Sequence, residues 1–246
     1  MTYRDFQIPK KNGFRKISAP SPALLRAQHS LLSELNLVLD AISKTENLDN
    51  IIHGFRNNHN AVTAAILHIG YSTTLMMDIS NFFNSVTKEH FSHLNINLPE
   101  YVFHQEGYTA QGFATSPILA NIAIIPALKE INSYLLSLNI TYSFTIYADD
   151  IQISTDINDV EFQIFVLAKK VKEILHRHRF SLNTNKTRIA YAHYGFRRIL
   201  GISVGEFAIQ PTRKIKRKIR AARHCKNIPS LGGLTNWANL RLPKAY

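Results

Sequence analysis

The stretch YADDIQIS, residues 147–154, sets Asp149 and Asp150 side by side, with Tyr147 two positions before the first and apolar residues on both sides. Adjacent carboxylates repel, so a pair held in an ordered element needs a positive partner. The flanks decide which element that is. SFTIY before the pair and IQIST after it are both β-rich, which predicts a hairpin with the carboxylates at its tip. Asp-Asp is also common in solvated turns, so the octapeptide alone leaves both readings open.

Composition narrows the partner. The chain has 246 residues, 45% of them hydrophobic, enough to bury a substantial core as one compact unit with lobes. Its 29 Lys and Arg against 17 Asp and Glu give a net charge of +12, which favours an extended polyanion such as nucleic acid over a neutral small molecule. A membrane surface is the rival polyanion, but ILANIAIIPAL from Ile118 is interrupted by Asn121 and Pro126 and falls short of the roughly 18 apolar residues of a spanning helix, and no membrane partner is expected. MTYRDFQIPKK has no signal-peptide core and Cys225 has no internal partner, so the expected location is the cytoplasm.

Without repeats or linkers, periodicity has to organise the chain. Ser21 as cap with Pro22 following predicts a helix with Leu24, Gln28, Leu31, Leu35, Val38 and Ile42 on one face. TTLMMDIS reads as a buried strand ending at Asp78, and Ser116 with Pro117 repeats the cap before a long core helix. Asn158 or Asp159 is expected to cap a further helix, turning Val160, Ile164, Leu167, Val171 and Ile174 or Leu175 inward and Lys169, Lys170 and Lys172 largely outward. Strands and helices alternate without a βαβ glycine fingerprint, so the expected class is α+β, a mainly antiparallel sheet backed by helices.

If the strand carrying Asp78 lies beside the hairpin, Asp78 and Asp149 converge at one end of the sheet with Asp150 adjacent. Three carboxylates so close call for hard cations such as Mg²⁺. Two such ions about 4 Å apart can activate an attacking hydroxyl and steady a leaving pyrophosphate. The expected positive partner is metal.

The order of further motifs resembles the reverse transcriptase family across roughly residues 8 to 210. LMMDISNFFNSV is similar to its first catalytic aspartate block, QGFATSPILANIAI to its template- and nucleotide-contacting block, and YADD to its signature hairpin. SLNTNKTRI and RRILGISV resemble the two blocks that follow, and FRKISAP and IIHGFRNNHNAV the fingers elements upstream. Within the family the wording is nearest the bacterial retron-type enzymes. It departs from their Asn-Ala-x-x-His and Val-Thr-Gly elements, having NAVTAAILH at Asn60–His68 and ILG at Ile199–Gly201.

The resemblance implies a right-hand polymerase: fingers at 1–75 and 95–112, palm at 76–94 and 113–205, and a short basic thumb at 206–246. It assigns Asp78, Asp149 and the Ile79 carbonyl to two Mg²⁺ ions, with Mn²⁺ as a substitute, and gives Asp150 a shaping and intermittent metal role. Phe83 stands at the steric gate that favours deoxynucleotides, although one of Phe82 and Phe83 must be an ordinary core aromatic. Arg15 and Lys16 would grip the triphosphate, Gln111 would order the sugar and phosphate side, and Lys186 would protonate the pyrophosphate. Each basic residue also has a plain reading as a solvated turn or surface lysine. Ser116 is read as a helix cap.

After Glu206 the chain has no acid, while Lys214, Arg217, Arg220 and Arg223 belong to a crowded basic helix opened by Pro211 and Thr212. Its place implies contact with duplex phosphates. About 40 residues remain for this thumb, which implies weak processivity or help from a structured RNA. The eleven histidines show no zinc-ligand spacing and are read as surface or RNA-facing. Expected partners are deoxynucleoside triphosphates, a structured non-coding RNA template, its RNA-DNA duplex and an effector protein in antiviral defence. A binding scaffold, or an untemplated or protein-primed polymerase, would use the same fold and stays open.

Overall fold

A computed structural model describes residues 2–9, 13–94, 96–156 and 160–241. The chain divides into two compact units, one of Met1–Asp49, Ile79–Ile131 and Lys172–Leu182, the other of Asn50–Asp78, Asn132–Val171 and Asn183–Tyr246. The expected caps Asn158 and Asp159, and Lys10 to Asn12 of the basic turn, lie outside the described residues.

In the first unit, β1 (Tyr3–Pro9) and β2 (Phe14–Pro20) pair antiparallel from Tyr3↔Pro20 to Pro9↔Phe14. Helix α1 (Pro22–Thr45) starts as its sequence dictates. Pro22 sits in its first turn, and the Ser21 hydroxyl accepts from the Leu24 amide at 3.3 Å. Its buried stripe is Leu24, Gln28, Leu35, Leu39 and Ser43. Leu31, Val38 and Ile42 are only half-buried, because the stripe follows the 3.6-residue turn to Leu39 and Ser43. Gln28 tolerates burial because its amide donates to the Tyr101 carbonyl and its oxygen accepts from the Ala114 amide.

Helix α3 (Ser116–Ser137) contains Pro126 and passes from the first unit to the second. Ser116 is its first residue rather than its cap, and the hydroxyl donates to the Ala110 carbonyl at 2.7 Å. Helix α4 (Val160–Arg177) also crosses the division and buries Ile164, Leu167, Val171, Ile174 and Leu175.

The second unit is built on β3 (Thr73–Ser80), which runs two residues beyond Asp78. Strands β4 (Tyr142–Tyr147) and β5 (Asp150–Thr155) form the expected hairpin, and β5 pairs antiparallel with β3. On its other side β3 meets β7 (Arg188–Tyr191) at Thr73 to Met76, while its last two residues, Ile79 and Ser80, belong to the first unit and pair there with β6 (Ser181–Leu182). Alternation puts Leu75, Met77, Phe144, Ile146, Ile151 and Ile153 on one face, all buried. Helix α2 (Ala61–Ile66), capped by Asn60 and Thr63, packs its Val62 and Ala65 with Ile199, Ile202 and Val204 of β8 (Arg197–Ile199) and β9 (Ile202–Val204). Next come β10 (Ile209–Pro211), which pairs with β9, and helices α5 (Arg213–His224) and α6 (Ile228–Ala238).

The opposite face of the hairpin sheet is also buried, yet polar. Arg197 donates to the Thr74 hydroxyl at 2.8 Å and to the His68 carbonyl at 2.6 Å. Thr74 Oγ1 and Ser154 Oγ are 2.8 Å apart. The His68 ring joins Ser154 and Thr145, each at 2.8 Å, and Thr145 bonds the Gln152 side chain at 3.0 Å. His68, His53 and His104 are thus core residues, against the expectation of surface histidines. His53 bonds Thr63 and the Asn50 carbonyl, and His104 bonds Asp5, so neighbouring acceptors and hydroxyls compensate their burial. Among the described residues no helix is long and apolar enough to cross a membrane.

Burial, reinforced by the Arg197 charge, drives the His68 pKa from its ordinary 6.5 down to about 3. Between those values the unfolded chain binds a proton that the folded chain refuses, so stability falls as pH drops from about 6.5 towards 3. His68→Gln keeps hydrogen-bonding capacity without that titration. Urea unfolding across this window should show a shallower acid loss for His68→Gln than for the wild type; parallel profiles would contradict the buried neutral ring.

Candidate active site

The acidic site is set by register. Asp78 of β3 lies opposite Asp150 of β5, and Tyr147 of β4 lies opposite the same residue. Ala148 and Asp149 form the two-residue turn between the strands. Ala148 has φ 55, the left-handed geometry that a tight hairpin requires and that costs an L-residue about 1–2 kcal/mol.

That turn is held from outside the hairpin. The Ile146 amide donates to the Ile51 carbonyl at 2.7 Å, and the His53 amide donates to the Ile146 carbonyl at 2.9 Å. This brings Gly54 against the tip so closely that a Cβ there would lie 2.2 Å from the Ala148 nitrogen. Sequence reasoning missed Gly54. The one available signal was a glycine inside IIHGF, with nothing local to say what approached it.

The positive partner within the chain is Lys186. Between its pairings through β6 and β7, the strand facing β3 is interrupted by a turn at Thr184–Lys186, and the Asn183 amide donates to the Asp78 carbonyl at 2.8 Å. Lys186 Nζ then reaches Asp78 Oδ2 at 2.7 Å. This pairing, with Asp149 and Asp150 nearby, raises the lysine pKa. Asp150 is pushed up to about 6, first by burial, then by the charges of Asp149 and Asp78, against the opposing pull of Lys186 and Arg188.

Among the described residues no three His, Cys, Asp or Glu side chains form a metal-ligand cluster. Asp149 and Asp78 are nevertheless close enough to raise the Asp150 pKa, and the three offer only carboxylate oxygens, the donor type that hard divalent cations take. The donor chemistry therefore fits Mg²⁺ or Mn²⁺, while Lys186 balances part of the negative charge.

Of the other expected residues, Ile79 follows Asp78 in β3, pairs with Leu182 and has a buried side chain. Ile79, Phe83, Gln111, Arg15 and Lys16 belong to the first unit. Phe82 is its core aromatic, 5.9 Å from the Phe180 ring centre, whereas Phe83 is half-buried and its carbonyl accepts from the Thr109 hydroxyl at 2.6 Å. The Ser18 amide donates to the Gln111 carbonyl at 2.9 Å, which ties Gln111 to the strand carrying Arg15 and Lys16. A Cβ on Gly112 would meet the Ser18 oxygen at 2.5 Å, so this seam also requires glycine. Arg15 is exposed. Lys16 donates to the Tyr108 hydroxyl at 3.0 Å and pairs with Asp5 and Glu106, each at 3.5 Å, and the Tyr108 bond leads the raising of its pKa. Lys214, Arg217, Arg220 and Arg223 are exposed on α5, whose first turn has no acid and whose Thr212 cap accepts from Ile215.

The fold is that of solved right-hand polymerases. A telomerase from Candida albicans with a fragment of telomeric RNA superposes with a TM-score of 0.61 at 14% identity, covering 86% of this chain and 46% of the other. A foamy viral protease-reverse transcriptase bound to RNA/DNA hybrid gives 0.54 at 20% identity, covering 97% and 27%. Residues 8–217 match the sequence profile of the reverse transcriptase (RNA-dependent DNA polymerase) family, and the chain belongs to that family. Its relatives include the retron Mx162 reverse transcriptase of Myxococcus xanthus, 26% identical over 90% of this chain and 52% of the relative. The retron Ec83 reverse transcriptase of Escherichia coli is 27% identical over 75% and 62%. The chain spans about half the length of the curated relatives it matches.

Replacing Gly54 by Ala should move the Ala148 turn and cost about 1–3 kcal/mol in urea unfolding, the usual penalty of overpacking. Gly232→Ala is the control, since a Cβ there meets nothing and α6 should gain from the better helix former. Equal stability of Gly54→Ala and wild type would show that the tip is not braced at this point.

Proposed function

We propose that the chain is the catalytic core of a retron-type RNA-directed DNA polymerase that adds deoxynucleotides to a primer on a structured non-coding RNA. The carrying observation is Asp78 set opposite Asp150, with Asp149 in the turn between β4 and β5 and Lys186 on Asp78. In this reading Asp78, Asp149 and the Ile79 carbonyl hold two divalent ions, Mg²⁺ or Mn²⁺, and Asp150 shapes the site. Those ions, when bound, supply activation of the primer hydroxyl and neutralisation of the leaving pyrophosphate.

The chain's own residues do the rest. Lys186 keeps its proton because Asp78 raises its pKa, so Nζ can donate to a departing phosphate oxygen. Arg15 and Lys16 hold the triphosphate by charge-assisted bonds, and Gln111 orders the sugar. The half-buried Phe83 ring excludes a ribose 2′-hydroxyl. Residues 1–75 and 95–112 serve as fingers, 76–94 and 113–205 as palm and 206–246 as thumb, whose Lys214, Arg217, Arg220 and Arg223 neutralise duplex phosphates. The enzyme would work in the cytoplasm beside an effector protein in antiviral defence, as the retron likeness suggests.

Asp149→Asn should abolish Mg²⁺-dependent incorporation of labelled deoxynucleotide while the protein stays folded, since the change relieves repulsion on Asp150. Near wild-type incorporation at matched folding would sink the metal assignment.

Changing Lys214, Arg217, Arg220 and Arg223 together to Gln should weaken duplex binding regardless of sequence and flatten the slope of log affinity against log salt by a little under one unit per lost phosphate contact. Single-turnover incorporation at saturating template should persist. An unaltered salt slope would leave α5 a solvated surface.

A further inference from the structure

The second unit carries an aromatic surface that the polymerase chemistry leaves without a role. Strand β7 ends at Tyr191, and a short turn, Ala192–Tyr194, leads towards β8. The Tyr191 and His193 rings stack with centroids 5.4 Å apart at 26°, and Tyr194 nests on His193 at 4.1 Å. Phe196 follows, lying so near Gly205 that a Cβ there would stand 2.6 Å from its ring. Gly205 begins the loop between β9 and β10, and Phe207 is in that loop.

These rings are open to solvent. Tyr194 is 83% exposed, Phe207 85% and Phe196 57%. Large apolar rings gathered in the open mark an interaction surface, because burial of such area is favourable and the fold has left it undone. Charge identifies the occupant. From Ile174 to Gly205 the sequence contains no Asp or Glu, and Arg198 is exposed on the strand that leads out of the ring cluster. Two acids lie nearby: Glu206, beside Phe207, and Asp156, which accepts from the amide of Ser72, the residue whose carbonyl accepts from Ala192.

We infer that this surface stacks on the unpaired nucleobases of a single-stranded RNA segment. Each base offers a π-face to Tyr194 or Phe207, while Arg198 meets the phosphates between bases. A duplex hides its base faces inside the stack and can engage only the cation. The inference rests on the reading of the chain as a nucleic-acid polymerase, and it separates two duties: α5 for paired backbone, the ring cluster for unpaired bases.

Fluorescence anisotropy with a short labelled oligouridine, which has no secondary structure, and with a blunt RNA duplex tests the assignment. Tyr194→Ala and Phe207→Ala should each weaken oligouridine binding roughly tenfold and leave duplex binding unchanged. Tyr194→Trp should restore single-strand affinity. Undiminished oligouridine binding by both Ala variants, an equal loss on the duplex, or no oligouridine binding by the wild type would overturn the inference. So would a wild-type dimer in sedimentation that Tyr194→Ala dissolves, because the rings would then be covering a second copy. Wild-type incorporation on a primed RNA template is read in parallel: its absence with ring-dependent oligouridine binding intact would remove the polymerase reading alone.

Discussion

The antiparallel register of β3 and β5 is the constraint on which the site depends. It places Asp78 opposite Asp150, and the hairpin's two-residue turn leaves Asp149 no room to move far from either. Like charges in such a register oppose folding unless something answers them. The answer within the chain is a lysine delivered by an interruption in the neighbouring strand. Had β6 and β7 been one continuous strand, Lys186 would have been fixed in a ladder; the turn at Thr184–Lys186 instead aims it at Asp78.

The two faces of the hairpin sheet divide the work of keeping that register. The apolar face is driven by burial, which is strong but non-directional. The polar face supplies direction, since hydroxyls, a neutral imidazole and a buried guanidinium match only one alignment of the strands. A slip by one residue would turn the apolar side chains into the polar face and orphan the donors and acceptors that now meet there.

Much of this was legible because it is local. Ser21 with Pro22, the inward residues of α4 and the two strands around Ala148 follow from capping, periodicity and turn length, and all depend on neighbours in sequence. The adjacency of Asp149 and Asp150 at a hairpin tip was legible for the same reason, whereas Asp78 joins them only through the distant pairing of β3 with β5; the ordered motifs pointed to the family. What was hidden depends on approach from afar. Gly54 is constrained by a turn almost a hundred residues away, and nothing around it in sequence records that. Arg197 and Arg198 look interchangeable on the page, but strand alternation buries one and exposes the other. The α1 stripe drifted at its C-terminal half because Ser43, a polar residue, lies on the buried side where Ile42 was expected.

The left-handed backbone at Ala148 has a thermal consequence. Its conformation is not one that alanine adopts unaided; it persists because Gly54 and the Ile51–His53 pairing press against the hairpin. Strands deeper in the sheet are secured by packing on both faces, so the tip has a smaller margin than the strands that carry it. On warming, the turn should therefore relax while the strands below it are still paired.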